Sequence, residues 1–291
     1  MSRIATGEKI LIDGATGTEI ERRGVPQLDN AWNGGGALSH PDILRQVHLD
    51  YIKAGAEVVI SNTFATHMHA LEDAGEAEHF EAYNRRGVEL AREAVDASGK
   101  SGVLVAGGIS YWSWSKRLST ADKIGEPAAR QARIMADAGA DLIMLEMMVD
   151  LDRMAVTIEA ALTCGLPVWV GLSCKPNTEG EMCLYNGDTL ASAVEMVKTY
   201  DVPLISIMHT EVEYVDSCLE ILKSTWSGPV GVYAHSARWV NDKTIFDGTI
   251  SAQNYAIAAQ GWLDNGVQVI GGCCGMGVDH IDALRPLVAD A

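Results

Sequence analysis

Positive charge and long apolar runs are scarce in this sequence, and each shortage excludes something. Only 22 Lys+Arg stand against 39 Asp+Glu, a formal net charge of −17 at pH 7. That balance repels phosphate backbones and anionic lipid surfaces, so nucleic acid is not an expected partner. Nowhere do about 18 apolar residues run together, the length a membrane-crossing helix needs. The amino terminus MSRIATGEKILIDGATGTEIERRG has no apolar run between a basic start and a cleavage site. The expectation is a cytoplasmic protein with no membrane partner. Six cysteines in 291 residues, 47% of them hydrophobic, read poorly as a disulfide framework, because a core of that size needs no stapling. Also absent are a glycine-rich phosphate loop, a Ser-His-Asp order and a dinucleotide fingerprint with its following acid.

What is present is an alternation. Eight short aliphatic or β-branched runs, Ile10-Asp13, Val58-Asn62, Val103-Gly107, Leu142-Glu146, Pro167-Leu172, Pro203-Met208, Pro229-Tyr233 and Val267-Gly271, read as buried parallel strands. Between and after them the apolar spacing predicts helices over Ile43-Lys53, Glu78-Ala97, Glu126-Ala138, Leu151-Thr163, Leu190-Tyr200, Val212-Lys223, Ala252-Asn265 and Val278-Val288. Strand then helix, eight times over, predicts an α/β fold closed as a single-domain (β/α)8 TIM barrel over 1-291; a doubly wound open sheet is the alternative. Several helices stop at a glycine just before the next strand, at Gly55, Gly139 and Gly266. In a barrel the active site is built at the carboxyl ends of the strands, and those ends carry unusual chemistry here. They hold Asp13-Gly14, Asn62-Thr63, Gly107-Gly108, Glu146, Ser173-Cys174, His209, His235 and Cys273-Cys274.

The sharpest local signal is Gly271-Gly272-Cys273-Cys274-Gly275-Met276-Gly277. Adjacent side chains on a regular strand point to opposite faces, so two neighbouring thiolates can share a cation only where a turn intervenes. The flanking glycines allow that turn, and zinc is the borderline-soft cation such a pair suits. A pair of small core residues is the plainer alternative. Cys164, Cys174, Cys183 and Cys218 lack such company and read as buried small hydrophobes or surface thiols.

At this point the sequence resembles the homocysteine S-methyltransferase family along nearly its whole length. The marks are Asp13-Gly14-Ala15-Thr16-Gly17-Thr18-Glu19, His48-x-x-Tyr51-x-x-Ala54-Gly55-Ala56, Asn62-Thr63-Phe64, Ala138-Gly139-Ala140-Asp141 leading to Glu146, Gly187-Asp188 and Gly271-Gly272-Cys273-Cys274-Gly275. The resemblance implies a barrel in which zinc, held by three cysteines, binds homocysteine as a thiolate that attacks a methyl group on sulfur, nitrogen or a corrinoid cobalt. It implies that Cys273 and Cys274 are two ligands, that Glu146 receives the substrate amino group and that Asp13, Gly14 and Thr63 surround the rest of the amino acid. Two departures stand out. The family's third cysteine follows the sixth strand, where this chain reads Ile205-Ser206-Ile207-Met208-His209, so His209 takes its place as a competent ligand. After the seventh strand, where the family has Pro-Asn-Ser or Pro-Asn-Ala, stands Tyr233-Ala234-His235-Ser236, making His235 a candidate fourth ligand.

The expected activity is therefore zinc-dependent methyl transfer to a thiol, with Glu146 and Asp13 as the catalytic candidates and homocysteine as the implied acceptor. The donor would be a sulfonium, a quaternary amine or a corrinoid on a separate protein. Trp112 and Trp114, after the third strand, could sit over a methylated cation or simply pack a loop. Two other readings stay open: a zinc-dependent hydrolase or lyase with His235 or Glu146 as base, and a non-catalytic zinc-binding homologue.

Overall fold

In the computed structural model of the chain, the described residues are 2–115, 119–236, 238–240, 243–245 and 249–289. Each expected strand forms; the first, second, fifth and eighth are trimmed at their ends, whereas the third, fourth, sixth and seventh run two or three residues further at the carboxyl end. They are β1 (Ile10–Leu11), β2 (Val58–Ile60), β3 (Leu104–Ile109), β4 (Leu142–Met148), β5 (Val168–Leu172), β6 (Leu204–Glu211), β7 (Val230–His235) and β8 (Val269–Ile270). All eight lie in one parallel sheet in the spatial order β1, β8, β7, β6, β5, β4, β3, β2. A parallel bridge between Ile12 and Val58 brings β1 back against β2. Two backbone bonds span that seam, from Asp13 N–H to the Val58 carbonyl (3.0 Å) and from Glu57 N–H to the Leu11 carbonyl (2.7 Å). The sheet is thereby a barrel, and the open doubly wound alternative is excluded.

The strands are near-continuous apolar runs because both of their faces are covered. Every residue of β5 (VWVGL) and β7 (VGVYAH) is buried. The covering layer is the ring of eight helices Pro41–Ala54, Phe80–Ser98, Gly125–Asp137, Leu151–Leu162, Leu190–Val197, Val215–Thr225, Ala252–Asp264 and Val278–Ala289. Their starts follow from local chemistry: the side chains of Asp150, Thr189 and Ser251 accept the N–H groups of Arg153, Ser192 and Asn254, satisfying donors that a helix start leaves open. Gly55, Gly139 and Gly266 take positive φ at the helix stops, as the sequence suggests. No described helix is long and apolar enough to cross a membrane.

Two short antiparallel hairpins interrupt the alternation and were not foreseen. Cys174–Pro176 pairs with Met182–Leu184 after β5, and Arg238–Val240 pairs with Lys243–Ile245 after β7. Both lie on the carboxyl side of the barrel strands, where loop insertions build the site.

Candidate metal centre and substrate pocket

Three strand ends bring adjacent residues to one cavity, and each does so by breaking the two-residue period of the strand. After β8, the Cys273–Met276 turn closes with Met276 N–H donating to the Cys273 carbonyl (2.9 Å), with Gly275 at φ +89. That conformation is open to glycine and strained for other residues. Cys273 and Cys274 therefore both face inward, as the sequence requires of a shared site. At the end of β6, the pairing with β7 slips between Met208 and Glu211, and His209 has φ +44. At the end of β4, the pairing with β5 slips between Leu145 and Met148, and Met147 has φ +53. Met208 with His209, and Glu146 with Met147, thus line the same cavity, of about 680 Å³.

A left-handed conformation costs a non-glycine residue roughly 1–2 kcal/mol. At His209 two hydrogen bonds offset it. The Tyr185 hydroxyl donates to the His209 carbonyl (2.8 Å), and the Thr210 hydroxyl donates to the Met208 carbonyl (3.0 Å), each contributing about 0.5–1.5 kcal/mol. The thioether of Met208 ties the two irregular strand ends together, accepting from Met147 N–H (3.2 Å) and the Ser173 hydroxyl (3.0 Å).

His209, Cys273 and Cys274 each offer one ligand atom, and these atoms all lie within 4.8 Å of one another. Cys273 Sγ is 3.5 Å from His209 Nδ1 and 4.0 Å from Cys274 Sγ. Two sulfurs and an imidazole nitrogen at this separation, facing a cavity on their fourth side, match the ligand chemistry of a catalytic zinc site. The donor set fits the metal that the resemblance implies. The Cys274 thiol is held well below its ordinary range, first by the hydrogen bond from Cys273 and then by His209, while Cys273 is pushed up by that same bond and by burial. One thiolate of the pair is thus favoured and the second is opposed by its neighbour, a repulsion a bound cation would relieve. His235 lies beside this trio and outside it. Its ring stands edge-to-face on His209 with centroids 4.2 Å apart, and its buried Nδ1 has no hydrogen-bond partner. Burial, then His209, push its pKa down to about 2.

Across the cavity stands Glu146. Burial, with a smaller contribution from Cys274, pushes its pKa up to about 8, because a low-dielectric surrounding disfavours the charged carboxylate. Of the other expected substrate residues, Gly14 is in the cavity wall, whereas Asp13 and Thr63 stand one layer behind it. Asp13 Oδ2 accepts Ile60 N–H (2.8 Å) and Thr63 donates to the Gly108 carbonyl (2.8 Å). Ser61 and Asn62 occupy the wall where Thr63 was expected. Burial raises the Asp13 carboxyl well above its usual range.

The fourth feature is an aromatic box. Trp32, Phe64 and Trp114 approach one another with ring centroids 6.4, 6.0 and 5.8 Å apart, and Trp112 adds a further wall. Trp32 is at φ +43, and its ring lies so close to Gly17 that a Cβ there would overlap it. The loop carrying Trp112 and Trp114 is anchored by His67 Nε2, 2.7 Å from the Trp112 carbonyl, and by Tyr111, whose hydroxyl accepts Val149 N–H (2.9 Å). Among the described residues of the wall there is no Lys or Arg. Sequence reasoning named Trp112 and Trp114 but missed Trp32 and Tyr185. Trp32 sits in a non-periodic loop, and the only available signal was an aromatic residue in the segment after a barrel strand. For Tyr185 there was none, since its role depends on a hairpin that the strand count did not contain.

Comparison with known proteins gives the family and the fold. The Homocysteine S-methyltransferase family profile matches residues 10–288, and the chain belongs to that family. It is 24% identical to homocysteine S-methyltransferase 2 of Zea mays, over 97% of this chain and 90% of that one. It is 25% identical to the homocysteine S-methyltransferase YbgG of Bacillus subtilis (strain 168), over 94% and 93%. Selenocysteine Se-methyltransferase of Brassica oleracea var. italica is 26% identical over 92% and 86%. The crystal structure of the metallated form of the homocysteine methyltransferase MmuM from Escherichia coli has the same fold, with a TM-score of 0.79 at 24% identity and 96% coverage of each chain.

Proposed function

We propose that this protein is a zinc-dependent methyltransferase that moves a methyl group from a cationic sulfonium to the thiol of homocysteine or a close relative. The observation that carries the reading is the convergence on one cavity of the His209, Cys273 and Cys274 trio, Glu146 and the aromatic box. Zinc on the trio would supply a Lewis acid that keeps the acceptor sulfur as a thiolate at neutral pH. Glu146 would receive the acceptor's ammonium, regaining its charge against that cation. Gly14 and its neighbours in the wall would position the acceptor's backbone. Trp32, Phe64 and Trp114 would hold the onium of the donor against ring faces, in a wall with no Lys or Arg among its described residues to repel it. The thiol first gives up its proton to solvent; the thiolate sulfur then forms a bond to the methyl carbon as the carbon–sulfonium bond breaks and its electron pair returns to the donor sulfur, leaving two neutral thioethers and one released proton.

His209 in place of a third cysteine argues for the sulfonium within this scheme. Three thiolates plus substrate thiolate on zinc would carry a formal charge of −2, and one imidazole reduces this to −1. A less electron-rich sulfur calls for the better leaving group, which a sulfonium has and a quaternary amine lacks. Labelled donors decide it: with homocysteine present, labelled methionine is expected from an amino-acid sulfonium and not from betaine or a methylcorrinoid. Donor hydrolysis without thiol would favour the hydrolytic alternative instead.

A further inference from the structure

We infer that Tyr185 is a positioning residue for the histidine of the metal trio, its phenol holding the left-handed peptide that turns His209 toward Cys273 and Cys274. The inference rests on the reading of the trio as a metal centre. Residue 209 follows Met208, and both face the cavity. On a regular strand they would point to opposite sides. Only the slipped pairing at the end of β6, with His209 at φ +44, puts the two together. Relaxation of that peptide to an extended conformation would carry the imidazole away from the sulfurs.

The two carbonyls flanking His209 are held from outside the strand's own ladder. Thr210 takes the Met208 carbonyl at 3.0 Å, and its hydroxyl oxygen accepts the N–H of Cys174 at 3.0 Å. Tyr185 takes the His209 carbonyl at 2.8 Å. Both attachments lead to the hairpin Cys174–Pro176/Met182–Leu184, and Tyr185 begins the segment that leaves it. That segment is itself fixed. Asn186 N–H donates to the Val149 carbonyl (3.0 Å), Leu184 N–H to the Asp188 carbonyl (2.8 Å) and the Asn186 side chain to Asp150 (3.3 Å). Lys175 Nζ lies 5.4 Å from the Tyr185 ring centroid, over its face. A hydroxyl on so constrained a support is a fixed point for the peptide. The ring contributes separately, in the cavity wall 6.0 Å from the His209 ring, so removing oxygen alone leaves the packing in place.

Partners that orient a metal-binding histidine are worth about tenfold or more in metal affinity when lost. Tyr185→Phe is therefore expected to raise the zinc dissociation constant about tenfold in chelator competition. The visible absorption bands of the Co(II)-loaded protein should shift, because the imidazole no longer meets the metal in the same direction. A merely structural tyrosine would not move that spectrum. Tyr200→Phe, which removes a hydroxyl bonded to Glu159 on the outer surface (3.0 Å), serves as control and should match the parent in both measurements. If the parent binds zinc and Co(II) and Tyr185→Phe is indistinguishable from it, the role of Tyr185 is overturned while the metal centre stands. A parent that holds neither metal overturns both.

Discussion

The two halves of the barrel rim divide the chemistry between them. Strand ends β5 to β8 contribute sulfur and nitrogen, through His209, His235, Cys273 and Cys274, with the Tyr185 hydroxyl behind His209. Strand ends β1 to β4 contribute oxygen and aromatic carbon, through Gly14, Trp32, Asn62, Phe64, Trp112, Trp114 and Glu146. The first half is short-range and directional: the ligand atoms of His209, Cys273 and Cys274 all lie within 4.8 Å of one another. The second is a larger surface whose selectivity comes from charge and ring faces. A two-substrate transfer needs both, one side to hold the nucleophilic sulfur and the other to hold what surrounds it and the group it attacks.

Removing the sulfur ligands should give the largest effect and separate the halves most cleanly. The double substitution Cys273→Ser, Cys274→Ser is expected to strip zinc and lower methyl transfer by more than about a thousandfold, a loss on the order of 4 kcal/mol in the barrier. Because Glu146 and the aromatic box are untouched, the protein should still quench its tryptophans on adding a sulfonium donor. Full zinc occupancy in this variant, measured by metal analysis after desalting, would reject the trio.

Acid should act on the other half through its buried histidines. His67 supports the Trp112 segment as a neutral ring: Nδ1 accepts Ala70 N–H (3.3 Å), so Nε2 carries the proton given to the Trp112 carbonyl. His48 is fully buried with neither nitrogen bonded. Burial pushes both from the usual 6.5 down to about 4. The unfolded chain then takes up protons first as pH falls, so the stability from keeping these rings neutral is complete above about pH 6.5 and is lost progressively toward pH 4. A shift of this size corresponds to about 3 kcal/mol per histidine at most. Asp13 and Glu146, whose carboxyls burial raises, act in the opposite sense over the same range, so the histidine contribution is read as a difference: in urea unfolding of the metal-free protein, His67→Asn, which can still cap Ala70, should differ from the parent by one proton's worth of slope. An unchanged slope in the variant would place the acid sensitivity elsewhere.

Most of the frame was legible because it rests on periodicity. Eight apolar runs separated by helical spacing define the barrel whatever the loops do, and the Gly-Gly-Cys-Cys-Gly segment announces a turn because two adjacent thiols cannot otherwise converge. The position of His209 was readable too, from its place after the sixth strand. What could not be read is what depends on one dihedral angle or on an inserted segment. Nothing in the sequence marks Met147 or Trp32 as left-handed, and the mild tolerance of histidine for positive φ does not single out His209. The same holds for the layer at β2, where one residue's difference puts Asn62 in the wall and turns Thr63 back to the Gly108 carbonyl.

Glu146→Gln sharpens the comparison within the oxygen side. It keeps the shape and removes the charge that an ammonium would meet, so homocysteine affinity should fall by about 1.5–3 kcal/mol while zinc content stays at the parent value. Isothermal titration of the zinc-loaded variant with homocysteine gives the affinity, and metal analysis of the same sample gives the zinc content. Equal affinity in parent and variant would remove Glu146 from the amino-acid site and leave its high pKa as a consequence of burial alone.

The smallest expected effect tests whether the aromatic box belongs to the donor. Trp114 meets both Trp32 and Phe64, at 6.0 and 5.8 Å between centroids, so Trp114→Ala opens the box without touching the trio or Glu146. An onium held against ring faces gains about 0.5–2 kcal/mol from them, depending on how dry the site is. The KM for a sulfonium donor should therefore rise by roughly 2- to 30-fold, with the affinity for homocysteine unchanged. Charge and size effects can be separated with a neutral thioether of the same shape used as a competitive inhibitor. If the rings act on the charge, parent protein should bind the sulfonium more tightly than the thioether, and Trp114→Ala should narrow that gap. Should both ligands weaken equally, the box is packing the loop and contributing apolar surface, and the donor's charge must be met on the other side of the cavity, where Glu211 stands at the rim.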